Sequence, residues 1–314
     1  MKGSAMSRTR AVLTAVAAAT ALALTACGGG GDPLATGGSG QSGGAPAETI
    51  VVGSANFTES QILAEIYAQA LAAKGVTVEK RMSIGSRETY MPGLQDGSID
   101  LIPEYSGTLL QYLDKQATAT EAEAVYTALQ AALPDTLTVL EKSAAEDKDA
   151  VVVTRETATR LNATSIADLA PNCAQLVFGG PPEFQTRPDG IPGIAETYGC
   201  NFAGYQSLDA GGPLTVGALR NGDVQAADIF TTDPAIEAND FVVLEDPENN
   251  FAAQNVLPLI TKDKATPEVT DTLNAVSAAL TTEELIALNS EAAGDAKPSP
   301  ETVAKNWLES KNLI

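Results

Sequence analysis

The sequence of 314 residues contains no histidine. That absence removes the commonest general base, the Ser-His-Asp and Cys-His arrangements, and most transition-metal sites. Basic residues are also scarce, 19 against 40 acidic, for a formal net charge of −21. Nucleic acid and anionic membrane surfaces both need a basic face, so neither is expected as a partner. Aromatic residues make up only 5% of a chain whose apolar content, 44%, is ordinary, so the position of each one is informative. Three cysteines are too few soft ligands for a metal site. No paired-carboxylate motif or nucleophile elbow can be read along the chain, and neither enzyme activity nor a cofactor is expected.

What is present begins with a targeting pattern. Lys2, Arg8 and Arg10 precede an alanine-rich apolar run, Ala11 to Leu24. The run is too short and too weakly hydrophobic for a bilayer span and reads as a signal peptide over residues 1–26. It ends Leu24-Thr25-Ala26-Cys27-Gly28, which resembles a bacterial lipobox, the alternative being an ordinary cleavage site. Cys27 is then expected to carry lipid and to anchor the exported chain to the outer face of the cytoplasmic membrane. Residues 27–47, rich in Gly, Ser, Ala and Pro, read as a flexible tether with a reach of roughly 25 Å. The remaining pair, Cys173 and Cys200, is expected to form a disulfide closing a loop of about 26 residues, contributing about 3 kcal/mol; two buried free thiols are the alternative.

From residue 49 onward, apolar β-branched runs alternate with helical periodicity. Thr49 to Ser54 reads as a strand, and Thr58 with Gln61 as a capping box for the helix carrying Ile62, Leu63, Ile66 and Leu71. A strand over 76–84, a short helix from Arg87 ended by Asp96-Gly97, and a buried strand Ile99 to Ile102 follow. This βαβαβ order predicts a mostly parallel sheet with helices on both faces. Ligands bind outside the carboxyl ends of such strands, here Ser54 to Phe57, Gly85 to Arg87 and Pro103 to Thr108. Ser106 to Thr108 would open a helix N-terminus, whose free N–H groups suit an anion; a turn without a ligand is the competing reading. The alternation restarts after Ala150. Patternless acidic stretches near 143–150 and 246–254 interrupt it twice. We therefore expect a two-lobed α/β fold with two hinge crossings, of the kind seen in periplasmic binding proteins (type II-like). Lobe I is placed at 48–146 plus 252–314, and lobe II at 147–251.

Two motifs then carry a resemblance. Gly53-Ser54-Ala55-Asn56-Phe57-Thr58-Glu59 and Gly97-Ser98-Ile99-Asp100-Leu101-Ile102-Pro103-Glu104-Tyr105-Ser106-Gly107-Thr108 resemble the substrate-binding proteins of osmoprotectant ABC importers, which bind glycine betaine, carnitine or choline. Glu183 to Gly190 and Asp228 to Asp233 match further on, in family order. The resemblance implies a small solute held by lobe closure, a permease and a separate ATPase subunit as partners, a monomeric binding protein and no metal. It also implies a cage of tyrosines around a quaternary ammonium, since a trimethylammonium donates no hydrogen bonds and aromatic faces are its favourable partners. By this match Tyr105 is a cage residue, while Thr108 and Arg187 bind the carboxylate.

The other cage positions depart from the pattern. Ala55 replaces a lysine, and the three remaining tyrosine positions fall on Asp149, Phe230 and Gln254. Loss of two aromatic faces would cost about 1–4 kcal/mol, so glycine betaine is expected to be weakened or replaced by another small polar or zwitterionic solute. Asp149 is available to an ammonium with N–H donors. Asn56 and Thr231 complete the candidate set, Asn56 being equally suited to fixing a turn. For Arg187 the bland alternative is an ion pair with Asp189, and for Tyr105 a place in the core. Phe184, Tyr90 and Tyr112 read as packing residues. A lipoprotein acting as a sensor or adhesin, or binding a different polar or aromatic solute, is the competing function. A neighbouring permease and ATPase would separate it from an importer subunit.

Overall fold

The computed structural model describes residues 49–314; the expected signal peptide, the tether and Cys27 lie outside the described residues. Among the described residues no helix is long and apolar enough to cross a membrane.

The chain opens with β1 (Ile50–Gly53), α1 (Thr58–Ala73), β2 (Val78–Arg81), α2 (Arg87–Asp96), β3 (Leu101–Tyr105), α3 (Ser106–Leu113), α4 (Ala122–Ala132) and β4 (Leu137–Val139). It then crosses to β5 (Val151–Thr154), α5 (Arg155–Leu161), α6 (Ile166–Leu169), β6 (Val177–Gly180), α7 (Ile191–Tyr198), β7 (Gly204–Ser207), α8 (Pro213–Asn221), β8 (Ala226–Asp228), α9 (Ala235–Ala238) and β9 (Phe241–Val243). A second crossing returns it to β10 (Val256–Thr261), α10 (Pro267–Ala279), α11 (Thr282–Ala293) and α12 (Pro300–Ser310). Two five-stranded sheets result, in the orders β2-β1-β3-β10-β4 and β7-β6-β8-β5-β9.

The expected two-lobed α/β fold is what forms, but both sheets are mixed. In the first, β1 runs parallel to β2 and β3, while β10 is antiparallel to β3 and β4. In the second, β6 is parallel to β7 and β8, and β5 antiparallel to β8 and β9. The strand that follows each crossing is the reversed one. Strand residues alternate between cores as the pleat requires. Leu101, Val256 and Ile260 pack with α1 and the C-terminal helices, whereas Ile102, Leu257 and Leu259 pack with α2, α3 and α4. Val151 and Val153 face one side of the second sheet, Ala150 and Val152 the other.

Several local expectations change. β3 does not stop at Pro103 but runs on to Tyr105, because Pro103 lies opposite Pro258 of the antiparallel partner β10. Two prolines can face each other only at a pair that exchanges no hydrogen bonds, and β1 has already ended on the other side. The capping box at Thr58 is not made. Phe57 is the N-cap without a side-chain bond, and Ser60 Oγ instead accepts from the Ala55 N–H at 2.9 Å. The strand expected over 76–84 shrinks to Val78–Arg81, an exposed edge. The sequence reading has no strand at β7, whose half-exposed Gly-Tyr-Gln-Ser carries little apolar pattern. Cys173 and Cys200 are joined in a disulfide, Cα to Cα 5.3 Å.

The two crossings lie side by side. Glu146 and Asn255 form an antiparallel bridge, Asp147 N–H donates to the Gln254 carbonyl, and Val256 N–H to that of Ala145. All carboxyl ends of the parallel strands, and the starts of β5 and β10, therefore meet at one cleft.

Candidate functional site

The cleft encloses about 610 Å³, part of it open to solvent. β1 delivers Asn56 and Phe57, α2 Arg87 and Tyr90, and the β3–α3 junction Tyr105 and Thr108. From the second lobe come Asp149 just before β5, Glu183 and Arg187 after β6, and Phe230 after β8, while Gln254 precedes β10. Seven of the eight residues proposed from sequence thus line one space: Tyr105, Thr108, Arg187, Phe230, Asn56, Asp149 and Gln254. Thr231 is not on the lining. Its hydroxyl donates to Asp147 Oδ1 at 3.2 Å and accepts from the Lys148 N–H at 3.0 Å, behind the wall of the cleft.

The aromatic wall centres on Phe57. Its ring centroid lies 6.1 Å from that of Tyr105 and, across the cleft, 5.1 Å from that of Phe230. Phe57 is missing from the sequence candidates although it sits inside the first motif. Tyr90 also lines the cleft, where packing alone was expected. Phe184 is a packing residue as expected, stacked on Phe178 at 5.5 Å, and Tyr112 packs at the margin of the α2–α4 core.

The Tyr105 hydroxyl is committed elsewhere. It donates to Glu59 Oε1 at 2.6 Å, leaving the ring to face the cleft. Glu59 Oε2 accepts from Thr232 Oγ1 at 2.6 Å and from Asn289 Nδ2 at 2.5 Å. Thr232 belongs to the second sheet's lobe, whereas Glu59 and Asn289 lie on α1 and α11. Asp147, in the first crossing, accepts from Thr232 N–H at 3.1 Å and shares a hydrogen bond with Glu59. Burial raises both carboxyls above the usual range, and two buried acids in contact hold a proton between them.

Both cleft arginines have carboxylate partners. Arg87 donates to Glu104 at 2.9 Å from Nε and 2.6 Å from Nη2, and Tyr90 OH reaches the same carboxylate at 2.6 Å. Glu104 is fully buried. Arg187 does not pair with Asp189. Its Nε and Nη2 each donate at 3.1 Å to Glu88 of α2, bridging the lobes. Burial pushes Glu88 up, but these bonds outweigh it and hold the carboxyl at about 2.

Two residues at the crossings complete the site. Gln254 turns its side-chain carbonyl onto the start of α3, accepting from the N–H groups of Gly107 and Thr108 at 3.0 Å each. Position 107 must be glycine, because a Cβ would lie 2.7 Å from the Ala253 carbonyl. Asp149, in the cleft wall, shares a hydrogen bond with Asp228 behind it; burial raises both, Asp228 strongly.

Glu59 was legible in principle, since it sits on the same helical face as Ile62, Leu63 and Ile66. For Asp147 the sequence carries no comparable signal, whereas Glu104 and Asp228 lie inside the matched motifs, Glu104 also in a buried strand.

Residues 48–310 match the family described as the substrate-binding domain of the ABC-type glycine betaine transport system, OpuAC. The chain is 29% identical to the glycine-betaine-binding protein of Pseudomonas aeruginosa PAO1, over 86% of this chain and 90% of that protein. It is 26% identical to the carnitine transport binding protein OpuCC of Listeria monocytogenes 10403S, over 87% and 90%. A crystal structure of a glycine betaine/carnitine/choline ABC transporter protein superposes with a TM-score of 0.66 at 24% identity, covering 84% of this chain and 99% of that one.

Proposed function

The chain belongs to the family of substrate-binding domains of ABC-type glycine betaine transport systems, and from that premise we propose that it captures a small osmoprotectant-like quaternary amine or zwitterion outside the cytoplasm and delivers it to a permease driven by a separate ATPase. It is a binding component and not an enzyme. The observation that carries the ligand class is the cleft wall of Phe57, Tyr105 and Phe230, with the Asp149 carboxylate on the same space. Ring faces attract a cation that has no N–H to donate, by about 0.5–2 kcal/mol each, and a carboxylate adds a charge partner.

Capture proceeds by closure of the lobes, 48–146 plus 252–314 and 147–251, about the paired crossings. Two contacts that span the cleft would form on closing: Thr232 with Glu59, and Arg187 with Glu88. Cys27 would hold the protein at the outer face of the cytoplasmic membrane through its lipid. Binding of a different polar solute, by an importer subunit or a sensor, is favoured by one observation: the groups expected to take a betaine carboxylate already have partners in Glu88 and Gln254.

Isothermal titration with glycine betaine, carnitine, choline and proline tests the reading. Saturable one-to-one binding of at least one quaternary amine, with no turnover, is the expected result. Absence of heat from all four, with folded protein, would overturn it.

A further inference from the structure

The N-terminus of α3 is the place on the cleft wall best suited to an anion, and it is filled from within. Gln254 is almost fully buried, 1% exposed. Its Oε1 takes the N–H groups of both Gly107 and Thr108, with the Thr108 hydroxyl at 3.5 Å. Two backbone donors on one atom fix the amide orientation, since the NH₂ group has nothing to accept with. Nε2 must therefore point away from the helix, and it is buried without an acceptor among the described residues. A buried donor of this kind calls for an oxygen.

The rest of the cleft repels a second negative charge. Arg87 and Arg187 are each neutralised by a bidentate carboxylate. Asp149 and Glu183 line the same space and form no ion pair among the described residues; burial raises Asp149, and the charges of Arg187 and Arg87 only partly offset this. Behind Asp149, neither carboxyl oxygen of Asp228 accepts from an N–H or from a Ser, Thr or Tyr hydroxyl among the described residues; its partner is the Asp149 carboxyl. A ligand carboxylate would have to displace Gln254 or Glu88 while facing Asp149, whereas a hydroxyl or carbonyl oxygen needs only the free Nε2.

We propose that Gln254 is the specificity-determining residue of the cleft, blocking the α3 anion site and selecting an organic cation with a neutral oxygen over a zwitterion with a carboxylate. The inference rests on the quaternary-amine reading above and narrows it. The cationic head lies between the aromatic rings and Asp149, and the neutral oxygen accepts from Gln254 Nε2.

Choline and glycine betaine make the matched pair for the test, because they share a trimethylammonium and differ in hydroxyl against carboxylate. Calorimetry at pH 7 on the full chain should give choline a Kd at least tenfold lower. Gln254→Ala uncovers the two N–H groups, and the choline-to-betaine preference should move at least fivefold toward betaine. Gln254→Glu keeps the helix start covered but cannot donate, so choline should weaken while betaine stays excluded. Betaine binding as tightly as choline to the unaltered chain would overturn the inference while leaving the quaternary-amine reading intact. So would an unchanged preference in folded Gln254→Ala; should that variant not fold, the unaltered chain and Gln254→Glu still decide. Binding of neither compound would overturn both this inference and the reading beneath it.

Discussion

Replacing Thr232 by valine removes one hydroxyl from the bond that ties the lobes together and leaves the side-chain shape intact. Thr232 Oγ1 donates to Glu59 Oε2 at 2.6 Å and accepts from Asn289 Nδ2 at 3.1 Å. Glu59 and Asn289 belong to the opposite lobe, so the loss falls on the closed form, whereas an open form would hydrate the hydroxyl. A hydrogen bond to a charged group contributes about 1.5–3 kcal/mol. Glu59 keeps Tyr105 and Asn289 as donors, and so is not orphaned, which places the cost near about 1–2 kcal/mol. At 1.4 kcal/mol per decade this is about a 5- to 30-fold shift of the open–closed balance, and an equal rise in Kd carried mainly by faster dissociation. Titration calorimetry, stopped-flow ligand displacement and small-angle scattering read the three quantities. Thr232→Ser, which restores the hydroxyl, should recover most of the loss. A valine variant within twofold of the parent in Kd and off-rate would refute the idea that this bond holds the lobes closed.

Glu104→Gln should cost about 3–5 kcal/mol of stability by calorimetric melting, because it leaves the buried Arg87 guanidinium without its counter-charge; an unchanged melting temperature would show the pair to be dispensable. The carboxyls of Glu59, Asp147, Asp149 and Asp228 are raised by burial, and Asp189 to about 6. Their contribution is complete below the unfolded carboxyl range near 4 and is lost as pH rises through the raised values, so stability should fall as pH rises above about 4, with the Asp189 share lost around pH 6. Asp147→Asn keeps an acceptor for Thr232 and removes one such proton; its unfolding free energy should vary less over that range, by up to about 1.4 kcal/mol per pH unit, and a slope equal to the parent's in denaturant titrations would contradict the assignment. Reducing the Cys173–Cys200 bridge, which spans 27 positions, should lower stability by about 3 kcal/mol in a denaturant titration, and no change would mean that the packing around both sulfurs suffices.

The fold was legible because its signals are local and redundant. The first lobe's strands are apolar and β-branched, the helices between them periodic, and the two acidic interruptions fall where the chain changes sheets. Less legible was the direction of β5 and β10: both read as buried apolar runs, and a fully buried strand has the same composition whichever way it runs. That direction matters for the site, since reversal after each crossing brings Asp149 and Gln254 to the cleft edge. Asn56, Tyr105 and Thr108 could be proposed because motif and strand-end reasoning agreed on them, whereas Arg187, Phe230, Asp149 and Gln254 came from the family resemblance alone. Their actual partners could not be proposed. Arg187 meets Glu88 rather than Asp189 two positions away, and Tyr105 meets Glu59, 46 positions earlier. The first pairing depends on how the two lobes face one another and the second on how α1 packs against β3, and no spacing in the chain encodes either.

The charge of the cleft then gives the scarcity of basic residues a local meaning. Around it stand Arg87 and Arg187 against Glu59, Glu88, Glu104, Asp147, Asp149, Glu183, Asp189 and Asp228. Glu104 and Glu88 neutralise the arginines. A proton held within Glu59–Asp147 and another within Asp149–Asp228 remove two further charges. Asp189, Glu183 and one carboxylate of each pair remain, so a negative field persists at neutral pH after every internal pairing has been made. Low-dielectric walls focus such a field. A cation entering against the Phe57–Phe230 wall moves down it, whereas a zwitterion gains on its ammonium and loses on its carboxylate. With the arginines paired and Gln254 covering the α3 N-terminus, no further basic side chain among the described lining residues offsets that loss. The chain's excess of acid over base thus acts on the ligand as well as on the nucleic acid and membrane partners it excludes.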